Sequence, residues 1–241
     1  FRKVAALVKD ANVADAASGA RLLAAFASLS QLAGWLAFDA ENQGLAQRYF
    51  RTGLEAAHSC GDRNLGAHIL ACMSYQTSYS GRLHDSIELA NAAMEAASDA
   101  HPAVRSSVAV RFALAQAVAG NLYGFRSAID QARSAWSEVA QTGNTYIDFQ
   151  SGEGLQMFSF ASSRDSPRIL EQADQLLYRK VGPENLDMPR DALLHGAWLA
   201  RSHVRAGTIE RALDIVSTAP RRLKTVHSPL AVSVLKKLDR D

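Results

Sequence analysis

Few residues in this chain could do chemistry, and their spacing argues for binding rather than reaction. The histidines (His58, His68, His84, His101, His195, His203 and His227) never form HExxH or HxxxH, the spacings that set two imidazoles on one helix face around a zinc ion. Ser151-Gly-Glu-Gly154 has the glycines of a phosphate loop, but no Lys-Ser or Lys-Thr follows, and it lies within a helical pattern. Neither a GxSxG elbow nor a Cys–His signature occurs. Asp148 and Glu153 sit more than a full helical turn apart, so the two carboxylates do not converge as an acid–base pair. Cys60 and Cys72, the only cysteines, read as small core residues, and such thiols suit a reducing cytoplasm. The sequence predicts no catalytic residue, no metal ligand and no cofactor. His68, Glu153 and Arg201 are the only possible members of a catalytic centre.

A second group of residues is better placed. Gln31, Trp35, Phe38 and Asp39 recur at helical spacing, as do His68, Tyr75 and Tyr79, then Gln150, Glu153, Met157 and Phe160, then Arg201 and Arg205. Together they offer flat apolar surfaces and both signs of charge, the mixture that holds an apolar ligand body and pins its polar ends. The alternative, that Trp35, Phe38, Tyr75 and Phe160 only pack between helices, stays open. Between the second and fourth sets only Ser107 and Val110 fall on the same stripe, which predicts open space there.

The elements that must carry these residues are helices. Alanine is abundant, Gly and Pro are scarce, and 48% of the 241 residues are hydrophobic. A pattern of small residues recurs with anchors at Ala46, Ser86, Ala128, Arg168 and Ala212, at intervals of 40 to 44 residues. It predicts five helix pairs, over about 17–40 and 43–59, 63–80 and 84–98, 102–120 and 125–141, 145–163 and 166–178, and 189–206 and 208–219. Capping helices are expected at about 2–9 and 228–239, and Val181–Pro189 reads as a loop. Gly81, Gly120 and Gly207 are placed to end helices in the left-handed conformation, with Thr208 as an N-cap. The fold class is thus all-α, a tetratricopeptide-like right-handed solenoid forming one repeat domain over 1–241.

Three stretches carry a family resemblance: Gln31-Leu-Ala-Gly-Trp-Leu-Ala-Phe-Asp39 with Gly44-Leu-Ala-Gln-Arg-Tyr-Phe50, Ala57-His-Ser-Cys-Gly-Asp62, and Leu65-Gly-Ala-His-Ile-Leu-Ala-Cys-Met-Ser-Tyr-Gln76. They resemble the C-terminal tetratricopeptide-like region of actinobacterial regulators whose N-terminus is an Xre-type helix-turn-helix domain. The resemblance is carried by residues 22–98 and continues beyond them in period and character. It implies a cytoplasmic sensor that binds a small molecule or short peptide on its concave face, with DNA contacted only through a helix-turn-helix module outside this chain. A protein–protein scaffold without a small ligand, and a regulator-derived repeat domain recruited as a biosynthetic enzyme, are the alternatives.

Charge and hydropathy narrow the partners further. A net charge of +2 is too small to argue for nucleic acid, and the eight basic against four acidic residues from Arg205 onward fit a solvated face. No stretch reaches the roughly 18–20 clean apolar residues of a membrane span, so no membrane partner is expected. A thinly apolar amino-terminal segment, with a two-fold operator expected for the parent regulator, predicts self-association as a dimer.

Overall fold

The computed structural model describes residues 15–140, 145–161, 166–182 and 188–240, and these contain helices and turns but no strand. The helices are α1 (Ala16–Asp39), α2 (Gln43–Ser59), α3 (Arg63–Tyr79), α4 (Leu83–Ala96), α5 (Pro102–Val118), α6 (Leu122–Ser137), α7 (Thr145–Ala161), α8 (Ser166–Val181), α9 (Pro189–Arg205), α10 (Ile209–Val216), α11 (Ala219–Arg222) and α12 (Pro229–Lys236). A 3₁₀ turn over Lys237–Arg240 follows. The paired helices expected from the sequence are all present. The segment 2–9, and 183–187 of the expected loop, lie outside the described residues.

One three-residue turn explains the regularity. Helices end on a left-handed residue and restart at once on a cap. Glu41, Gly61, Gly81, Gly120 and Gly207 have φ of 58°, 75°, 73°, 77° and 78°. In each turn the next amide closes a wide loop onto the helix just ended, as in Asp62 N to Ala57 O at 2.9 Å and Asn121 N to Gln116 O at 2.9 Å. Asn42, Asp62 and Asn121 then cap the following helix through side-chain oxygens, onto the amides of Leu45, Leu65 and Gly124. Thr208 occupies the cap position without capping. Its hydroxyl lies 2.8 Å from His203 Nδ1 and 3.1 Å from the His203 carbonyl instead.

Helices pack in consecutive pairs, α1 on α2 through α9 on α10, and the odd-numbered helices stack on one another in order. Glycine sets the closeness of these crossings. A Cβ on Gly53 would stand 3.1 Å from the Ala27 carbonyl, and one on Gly34 would stand 2.5 Å from the Phe50 ring. Ala46, Ser86, Ala128 and Ala212 are buried as the repeat requires. The fourth anchor is displaced by one residue: Arg168 is exposed, and Ile169 with Ala173 occupies the crossing.

The two ends of the odd-numbered row meet. Helix α12 packs on α9 and reaches α1. Asp39, at the end of α1, accepts from Arg190 Nε at 2.9 Å and from the Ser228 hydroxyl at 2.8 Å. Arg190 also grips Asp191 at 2.7 Å.

Candidate ligand site inside the helix row

Glu153 lies at the centre of the odd-numbered helices and is completely buried. The reason is local. Gly152 leaves room for Leu176 and Leu177 of α8, and Gly154 leaves room for the Phe125 ring of α6. With both flanking residues reduced to hydrogen, the outer helices close in and residue 153 points to the interior. The Gly-Glu-Gly segment therefore works as a packing device inside a helix.

Burial of a carboxylate demands hydrogen bonds. Tyr75 and Tyr79 of α3 supply them to one oxygen, their hydroxyls lying 2.9 and 2.8 Å from Glu153 Oε1 and 3.1 Å from each other. Burial and the neighbouring Glu153 charge push both phenols well above their ordinary range, so they remain donors. The second oxygen, Oε2, has no hydrogen-bond partner among the described residues. Nor do three other buried atoms nearby on α7 and α9: Gln156 Oε1, His195 Nδ1 and Trp198 Nε1. His195 Nδ1 is 3.9 Å from Glu153 Oε1, and burial lowers the His195 pKa despite that neighbour, leaving the ring neutral near pH 7.

Aromatic rings surround this core. Trp35 contacts Phe38 and Tyr75 at centroid separations of 5.6 and 5.3 Å, Tyr75 contacts Tyr79 at 4.8 Å, and Tyr79 reaches Trp198 at 6.1 Å. Trp198 in turn meets Phe160 at 5.2 Å. Guanidinium groups lie on these faces. Arg111 stands 4.1 Å over Tyr75, Arg201 is 4.7 Å over Trp198, and Arg205 is 4.4 Å over Phe160.

A second polar group adjoins the first. Cys72 Sγ lies 3.7 Å from His68 Nε2, one helical turn away, and accepts from Gln31 Nε2 at 3.4 Å. Burial acts to raise the thiol pKa, but His68, the Arg111 charge and the Gln31 contact outweigh it, and the net shift is downward. The hydrogen bond that the Cys72 sulfur accepts raises the His68 pKa in return. The pair is thereby biased toward thiolate and imidazolium.

No protein-family model and no curated protein matches the chain.

The structure brings most of the sequence-derived stripe together. Trp35, Phe38, Tyr75, Tyr79, Glu153 and Phe160 share one interior, and Met157 is buried in the same core. Gln31 and His68 meet at Cys72, and Gln150 accepts from Arg111 Nη1 at 2.9 Å. Arg201 is buried against Phe160, whereas Arg205 touches the same ring from an exposed position. Asp39 belongs to the end-to-end contact with Arg190 and Ser228 instead. The open space expected in the third repeat is filled: Val110 is buried toward the α6 side, and Arg111, one residue on, projects to the interior. His195, Trp198 and Arg111 were missed. The first two lie six and three residues before Arg201, on the helical stripe that already carried it.

Two clefts lie elsewhere. One of about 590 Å³ is lined by Leu54, His58, Arg63, Leu70 and Glu95, and one of about 320 Å³ by Met94, Arg105, Gln131 and Glu138. Neither includes a residue of the interior cluster.

Proposed function

We propose that this chain is the sensing region of a cytoplasmic bacterial transcriptional regulator. In this reading the helix pairs form a right-handed tetratricopeptide-like solenoid, and its interior face takes a small molecule or short peptide. The observation that carries the reading is Glu153, a buried carboxylate with one oxygen held by two tyrosines and the other without a partner. An unpaired buried acceptor costs about 1–3 kcal/mol, more for a charged group. A protein that needed only stability would have apolar residues there. With Gln156, His195 and Trp198 also offering unpaired atoms, a ligand carrying both donors and acceptors gains hydrogen bonds that the protein alone leaves unmade. A scaffold without a ligand has no use for that arrangement.

The ends of the row supply the output. Asp39, Arg190 and Ser228 join the first and last repeats, so a ligand contacting α1, α3, α7 and α9 together would bias that junction. The DNA-binding part would lie upstream, outside this chain. The test is a melting-temperature screen of metabolites and short peptides, repeated on Glu153→Gln and on Trp35→Ala with Tyr75→Ala. Compounds that stabilise the wild type are expected to lose their effect in both variants. Equal stabilisation of all three proteins would place the site elsewhere.

A second reading, a catalytic interior, is favoured by one observation, the His68–Cys72 pair with Gln31 donating to the sulfur. It requires Cys72 to titrate as an activated thiol.

A further inference from the structure

Helix α1 differs from every other described helix in what it shows to solvent. The exposed positions of α2 are Gly44, Arg48, Arg51, Glu55, His58 and Ser59, and those of α4 include His84, Glu88, Asn91 and Glu95. The exposed positions of α1 between Arg21 and Asp39 are Ala25, Ser28, Leu29, Leu32 and Leu36, and no charged residue occurs between Arg21 and Asp39. Leu29, Leu32 and Leu36 are 40%, 52% and 62% exposed. Scattered surface leucines are ordinary, but three on one uncharged stripe form a face that no described residue covers.

The stripe has the spacing of a helix–helix seam. Leu22, Ala25, Leu29, Leu32 and Leu36 follow at intervals of three and four residues. The seam is also symmetric about Leu29 to within one residue, with leucine seven positions away at either end and Ala25 and Leu32 between. A helix laid antiparallel on an identical copy with Leu29 on the two-fold axis places Leu22 against Leu36 and Ala25 within one residue of Leu32. Small then faces large, as close packing needs. The charges fix the direction. Arg21 flanks one end and the exposed Glu41 the other. An antiparallel pair brings Arg21 of one copy within about a turn of Glu41 of the other. A parallel pair would oppose like charges at both ends.

We propose that the α1 face formed by Leu29, Leu32 and Leu36 is a homodimer interface in which two copies pack α1 antiparallel across a two-fold axis at Leu29. The interface uses the side of α1 that faces away from the α2 crossing at Gly34, so it leaves the interior cluster intact. It does not depend on that cluster binding a ligand.

Light scattering after gel filtration, at loadings from 1 to 100 µM, reads the mass directly. The expected result is about twice 26.0 kDa for the wild type, falling to 26.0 kDa in Leu32→Glu with unchanged far-UV circular dichroism. Cross-linking tests the geometry in a Cys60→Ser background. Leu29→Cys alone is expected to oxidise to a covalent dimer, Leu36→Cys alone is not, and a mixture of Leu22→Cys with Leu36→Cys is. A wild type that stays at 26.0 kDa throughout overturns the proposal, as does Leu36→Cys cross-linking as fast as Leu29→Cys. A monomer that sediments with phosphatidylcholine–phosphatidylglycerol vesicles overturns it in favour of a lipid-facing helix.

Discussion

Asp39 and Arg190 are 151 residues apart in sequence and share a salt bridge that joins the last turn of α1 to the first turn of α9. Ser228, the N-cap of α12, donates to the same carboxylate oxygen, so one side chain gathers three separated elements. Both charged partners are about a quarter exposed, which places the pair between the near-neutral surface case and the costly buried one. A double-mutant cycle with Asp39→Ala and Arg190→Ala is expected to give a coupling energy of about 1–2 kcal/mol in urea denaturation. Additive single effects would show that the ends are held by the packing of α12 alone.

The His68–Cys72 pair makes a spectroscopic prediction that does not require a reagent to reach the buried sulfur. A thiolate absorbs near 240 nm, and the Cys72 pKa is depressed by His68, Arg111 and Gln31 against the opposing effect of burial. In Cys60→Ser, corrected by the Cys60→Ser/Cys72→Ser spectrum, the absorbance step is expected to be displaced downward from that of an ordinary thiol. His68→Gln removes the imidazole that holds the thiol pKa down and is expected to move the step upward. A midpoint above that of a free thiol in the wild-type environment would remove the basis for a reactive interior.

Acid sensitivity is expected to centre on Asp174. Burial alone would raise its pKa, but His203 at 3.6 Å and a two-pronged contact from Arg211 at 2.7 and 2.8 Å hold it down, from 3.8 to about 2. A depressed carboxylate pKa contributes stability that is complete above pH 3.8 and is lost as pH falls toward 2. The shift corresponds to about 2 kcal/mol, reduced somewhat by the exposed side of the Arg211 contact. Asp174→Asn should therefore destabilise the protein at pH 5 and cost little at pH 2. Equal losses in urea titrations at the two values would mean that packing, and not charge, is what Asp174 supplies.

Much of the fold was legible because its punctuation is chemical. Gly81, Gly120 and Gly207 mark helix ends that only a residue tolerant of positive φ can make, and Pro189 and Pro229 mark starts. The stripe around Trp35, Tyr75, Glu153 and Phe160 was legible because a helical period brings such residues to one side. Four features were not. Arg168 imitates an anchor because the true one, Ile169, is not a small residue. Arg111 is preceded by Val110, an apolar residue that fits the expected stripe but packs the other way. The Asp39–Arg190–Ser228 junction joins distant repeats and leaves no periodic trace, so no local pattern announces it. Gly152 and Gly154 imitate a phosphate loop because close helix packing and backbone approach to a phosphate both call for glycine.

The turn geometry yields the sharpest stability test, since one position breaks its own rule. Gly61, Gly81, Gly120 and Gly207 occupy the left-handed residue of their turns, but the first turn places Glu41 there at φ 58°. A non-glycine residue pays about 1 kcal/mol or more for that conformation. Glycine removes the strain, although its greater freedom in the unfolded chain offsets part of the gain. Glu41→Gly is therefore expected to stabilise the protein by about 0.5–1 kcal/mol. Gly81→Ala meets no atom within 4 Å, so its effect is purely conformational, a loss of about 1 kcal/mol. Opposite signs in parallel urea titrations are the expected outcome. If Glu41→Gly destabilised the protein as Gly81→Ala does, the Glu41 side chain would have to make a contact worth more than its backbone strain.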